Sequence, residues 1–79
     1  MDSLDFLILM TPSETWLYFV QDVLITIRAN IRDLQEKKAF ADPEELDYIE
    51  GRLFSYHEVL SILRASATDI GIDPAEIGL

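Results

Sequence analysis

The stretch Lys37-Lys38-Ala39-Phe40-Ala41-Asp42-Pro43-Glu44-Glu45-Leu46 decides the fold. Proline fixes its own φ and disfavours the α conformation at the residue before it, so Pro43 breaks any helix that arrives at Asp42. The same residues start a new one. Asp42 is a good N-cap, proline suits the first helical position, and Glu44 and Glu45 set carboxylates against the positive end of the helix dipole. The stretch therefore reads as a tight connection between a helix ending near Lys38 or Ala39 and another beginning at Pro43.

The outer ends carry matching signals. Thr11-Pro12-Ser13-Glu14 supplies an N-cap hydroxyl, a proline at the first helical position and a glutamate that can reach back to the cap amide. Gly71 suits the position just past a helix end, with Ile72 as the apolar contact of such a cap. Asp73-Pro74-Ala75-Glu76 offers one last turn. The expected elements are helices over 12–38 and 43–70, preceded by an apolar segment, 1–10, and followed by a tail, 71–79.

Periodicity gives the same division independently. Leu17, Val20, Leu24, Ile27, Ile31 and Leu34 recur at alternating spacings of three and four, and Leu46, Ile49, Leu53, Tyr56, Leu60, Leu63, Ala67 and Ile70 continue the pattern. That alternation is the a/d seam of a coiled coil. Two seams joined by a short turn give an all-α antiparallel helical hairpin. A register in which facing residue numbers sum to about 80 sets Leu34 against Leu46, Ile31 against Ile49, Leu24 against Tyr56 and Leu17 against Leu63. It also pairs Glu14 with Arg64, Arg28 with Glu50 and Lys37 with Glu45.

Composition shows what the hairpin leaves over. The chain has 79 residues, of which 49% are hydrophobic, and 15 Asp and Glu against 6 Lys and Arg give a net charge of −9. A chain this apolar is not disordered by composition. Its charge disfavours direct binding to nucleic acid or to an anionic membrane, and without cysteine there is no disulfide or thiolate metal site. The run Phe6-Leu7-Ile8-Leu9-Met10 is too short for a membrane span and lacks the flanks of a secretory signal, so a cytoplasmic protein is expected. The seam uses 14 of the 39 hydrophobic residues. Of the other 25, Trp16, Phe19 and Val23 of the first helix match Val59 and Ile62 of the second on one flank, while Tyr18, Ile25 and Phe54 lie toward the opposite side. A small hairpin cannot cover them all. A second copy, in a homodimeric four-helix arrangement, is the expected cover, together with the first ten residues.

Chemistry is sparse. His57-Glu58 lacks the second histidine of a His-Glu-x-x-His zinc site, because Ser61 stands there, and Phe54 occupies the glutamate position of a Glu-x-x-His metal motif. Asp42, Glu44, Glu45, Asp47 and Glu50 form an acidic pole without the spacing of a calcium loop. No cofactor or catalytic residue is assigned. Gly51 interrupts the second helix at a cost of about 1 kcal/mol relative to alanine. It marks a position where another backbone can approach, flanked by Tyr48, Arg52, Phe54 and Ser55.

The expected role is a non-enzymatic module for binding another protein, one with a basic surface. The interface residues would be Trp16, Phe19, Val23, Tyr48, Arg52, Phe54, Val59 and Ile62, with the acidic pole steering the encounter. Immunity proteins, antitoxins and phage regulators, which bind and block a partner, share this size, charge and architecture. An assembly factor or co-chaperone covering a helical partner is the alternative, and a metal-binding or enzymatic hairpin using His57 a distant third.

Overall fold

In the computed structural model, which describes residues 12–79, the chain leaves the first helix at Lys38 and enters the second at Pro43. Helix α1 spans Pro12–Lys38 and α2 spans Pro43–Asp69, so the expected hairpin is present with its boundaries within one residue. Thr11 and the apolar segment 1–10 lie outside the described residues.

The turn forms as its residues dictate. The Phe40 and Ala41 amides donate to the carbonyls of Lys37 and Lys38, closing the last turn of α1. Lys37 and Lys38 occupy the negative end of that helix dipole. Asp42 takes extended backbone, φ −75° and ψ 171°, and its Oδ1 accepts the Glu45 amide at 2.9 Å. One of the unpaired amides at the start of α2 is thereby satisfied.

The seam is the core. All six buried hydrophobic residues among those described, Leu24, Ile31, Leu34, Ile49, Leu60 and Ala67, come from the periodic set. Val20, Ile27, Leu53, Tyr56 and Leu63 pack half-buried around the cluster of Leu24, Ile31 and Leu60. Both outermost members of the pattern fail to bury. Leu17 is 37% exposed and Ile70 74%; both lie at the open end of the hairpin, and Ile70 follows the last residue of α2.

The register differs from the expected one. Lys38 Nζ pairs with Glu50 at 3.5 Å, and Asn30 Nδ2 donates to the Tyr56 hydroxyl at 3.1 Å. These numbers add to 88 and 86 rather than 80, so the contacts across the seam run about two helical turns off the expected pairs. Glu50 consequently meets Lys38 instead of Arg28, and Lys37 takes Asp33 of its own helix at 2.9 Å instead of Glu45. The physical reason lies in the pattern itself. Sliding one a/d seam past another by three, four or seven residues again sets apolar against apolar, so the spacing fixes the facing surfaces and leaves the axial offset free.

The tail builds a third element. Gly71, with φ +83°, ends α2 in a Schellman motif: the Ile72 amide donates to the Ala67 carbonyl at 2.8 Å and the Gly71 amide to that of Thr68 at 3.1 Å. Asp73 then caps a 3₁₀ turn, Pro74–Ile77, by accepting the Ala75 amide at 3.1 Å. Gly78, with φ +89°, repeats the Schellman geometry, with Leu79 donating to Pro74 at 2.9 Å and Gly78 to Ala75 at 3.3 Å. This second reversal lays Leu79 against the Leu24, Ile31 and Leu60 cluster.

Candidate functional site

A two-helix layer has two broad faces, and the tail takes one of them. Ile77 and Gly78 close over Gln21, Leu24, Ile25 and Arg28, enclosing a depression of about 200 Å³. The surplus apolar residue Ile25 lies at its rim.

Among the described residues the other face is open. Val23 and Asn30 are seven residues apart and so lie on one stripe of α1, along with Trp16. The hydrogen bond from Asn30 to Tyr56 ties that stripe to the Tyr56 side of α2. On this face Trp16 is 67% exposed, Phe19 57%, Tyr48 63% and Ile62 57%, with Val23 and Val59 near 40%. Trp16 and Phe19, one turn apart, make an edge-to-face pair with centroids 5.7 Å apart and planes at 84°. That is the favoured geometry for two aromatic quadrupoles, so the pair presents one preformed surface.

Arg52 forms the polar centre. Its Nη1 donates to the Tyr48 hydroxyl at 3.2 Å and its Nη2 to the Tyr56 hydroxyl at 3.1 Å. The guanidinium also stands 5.8 and 5.7 Å from the two ring centroids. These hydrogen bonds, from Tyr48 first and then Tyr56, raise the Arg52 pKa above its ordinary value, so the group is a permanent cation. Its hydrogen-bond partners are phenols, and among the described residues no carboxylate forms an ion pair with it. Sequence reasoning named Tyr48 and Arg52 but missed Tyr56 and Asn30. The available signal was the spacing Tyr48-x-x-x-Arg52-x-x-x-Tyr56, which stacks three side chains on one helix face.

Below this clamp lies an open groove of about 480 Å³, lined chiefly by Asp47, Tyr48, Gly51, Arg52, Ser55 and Val59. Gly51 is its floor: a β-carbon there would meet nothing within 4 Å. The Ser55 hydroxyl donates to the Gly51 carbonyl at 3.1 Å, which folds that small side chain back on the helix. A second depression, about 530 Å³, continues toward the turn past Phe40 and shares Tyr48 and Arg52. Phe54 stands apart. It is 69% exposed but lies five residues from Val59, about 140° round the helix.

The acidic pole surrounds the start of α2. Glu44, Glu45 and Asp47 are exposed, Asp42 serves as the cap and Glu50 binds Lys38. Among the described residues no group of three or more His, Cys, Asp or Glu side chains is gathered as a metal site would need, and His57 is exposed on α2. Nor, among those residues, is any helix long and apolar enough to cross a membrane. Comparison of the chain with protein-family models, with curated proteins and with solved structures gave no match.

Proposed function

We propose that this chain is a non-enzymatic protein-interaction module, a small acidic inhibitor or regulator that binds a partner protein and blocks it. The open face carries the reading: three aromatic and three aliphatic side chains stand in solvent along it, from Trp16 and Phe19 at the open end to Tyr48 beside the clamped arginine near the turn. Tyr, Trp and Arg are the residue types that dominate binding hot spots, and a contiguous apolar patch of this kind on a small domain marks a contact surface. The carboxylates at 42–50 add a negative end that attracts a basic partner and speeds its approach.

A charge-reversed control tests this. The immobilised protein should capture a basic protein from native-host extract at low salt. Capture should fall steeply as salt rises, and it should vanish for the variant Glu44→Lys/Glu45→Lys/Asp47→Lys. Capture unaffected by both changes would remove the acidic end from the account. A second reading, an assembly factor whose hairpin covers a helical partner, draws on the same exposed Trp16 and Phe19. It requires a chain that is unstable alone, so a high melting temperature for the isolated protein counts against it.

A further inference from the structure

We infer that the occupant of the open face is a second copy of this chain, and that two hairpins pair through Trp16, Phe19, Val23, Tyr48, Val59 and Ile62 into a four-helix dimer. The inference rests on the interaction-module reading and says which surface serves self-association, leaving the acidic ends for the foreign partner.

Area is the first argument. An aromatic side chain presents about 150–250 Å². At the exposures of Trp16, Phe19 and Tyr48, together with the smaller Val23, Val59 and Ile62, the face offers roughly 600 Å² of apolar surface per copy. A standard interface takes about 800 Å² from each partner, so these six side chains with the polar rim of Arg52 and Asn30 come close to a full one.

Layering is the second. On the Ile25 side the tail packs Leu79 on the core cluster and sets Ile77 and Gly78 beside Ile25, whereas no described segment packs on the Trp16 side, which is left bare among the described residues. Stacking two such bare sides gives the four-helix bundle, the simplest arrangement that buries both. An isologous contact also needs a surface that fits itself, and this one combines a protruding pair, Trp16 and Phe19, with a groove floored by Gly51.

Charge is the third. A net charge of −9 per copy opposes association unless the charges are kept apart. The carboxylates gather at 42–50, beside the turn, where Tyr48 is the one interface residue among them, and Trp16, Phe19, Val23, Val59 and Ile62 lie farther toward the open end. Copies stacked antiparallel, each turn beside the other's open end, set Trp16 and Phe19 of one copy over the groove of the other and hold the two acidic poles tens of ångströms apart. That exceeds the screening length of about 8 Å at physiological salt.

Sedimentation equilibrium on the full chain at micromolar concentration tests this. With a chain mass of 9.0 kDa, the expected species is about 18 kDa, and it should persist or strengthen as salt rises. The variant Trp16→Glu/Phe19→Glu, which alters only exposed side chains, should sediment near 9 kDa with unchanged helical circular dichroism. Phe54→Glu, equally exposed but round the helix, should remain at 18 kDa. A wild-type chain at 9 kDa throughout overturns the inference and assigns the face to the first ten residues or to a foreign protein. So does a Trp16→Glu/Phe19→Glu variant that stays at 18 kDa. Failure of the module reading looks different: an 18 kDa species whose acidic pole captures nothing.

Discussion

At the scale of single residues, the three glycines separate by backbone. Gly51 is helical and a β-carbon on it would meet open space, so Gly51→Ala should stabilise the isolated chain by about 0.5–1 kcal/mol. Gly71 has φ +83°, where a side chain meets the adjacent carbonyl, and Gly71→Ala should cost about 1–2 kcal/mol. Urea denaturation of both variants checks the pair. A similar response at the two sites would contradict the description of either α2 or its Schellman end. The two substitutions also separate folding from association. A methyl group on the groove floor should raise monomer stability and weaken the dimer, because it fills the depression the second copy enters.

At the scale of elements, the caps and the turn were legible in the sequence because each depends on residues within one helical turn of it. Asp42 with Pro43, and Gly71 with Ile72, satisfy backbone groups three to five residues away. The seam was legible because burial follows the 3.6-residue period, and for Leu24, Ile31, Leu34, Ile49, Leu60 and Ala67 it did. The axial offset was not, since the repeat that defines the seam is unchanged by sliding along it. Lys38 with Glu50 therefore came as new information. The packing of Leu79 also escaped the sequence reading, although its signal was present: Asp73-Pro74 and Gly78-Leu79 restate the start and stop of α2 in miniature. Leu79→Asp should detach the tail from the Leu24 cluster and lower the melting temperature by several degrees, consistent with a loss of about 1–2 kcal/mol in a domain of this size. Leu24→Ala should cost more, about 2–5 kcal/mol, because Leu24 is 2% exposed and its removal opens a cavity. Leu17→Ala, at the frayed end of the same pattern, should cost less than about 1 kcal/mol.

At the scale of the whole molecule, the sequence posed a surplus of apolar residues and the structure places much of it in two regions, with Phe40, Phe54 and Ile70 exposed outside both. One lies under the tail, beside Ile25, Ile77 and Leu79, and is partly covered within the chain. The other forms the open face around Arg52, where Tyr48 and Tyr56 hold a permanent cation between them. Sequence reasoning located most of that face from the alignment of Trp16, Phe19 and Val23 with Val59 and Ile62. It missed the clamp, although the spacing Tyr48-x-x-x-Arg52-x-x-x-Tyr56 carried it, because Tyr56 was read as a seam residue alone. The acidic residues gather at the turn, beside the Tyr48 and Arg52 end of that face and at the far end of the hairpin from Trp16 and Phe19.

Trp16 is the only tryptophan in the chain and sits on the open face, so its fluorescence reports directly on whether that face is covered. A concentrated solution should emit at the shorter wavelengths of a buried indole, and the emission should shift to that of a water-exposed one on dilution through the dissociation constant, expected near the micromolar range. An emission maximum that stays at the water-exposed position from the highest concentration to the lowest would contradict the account.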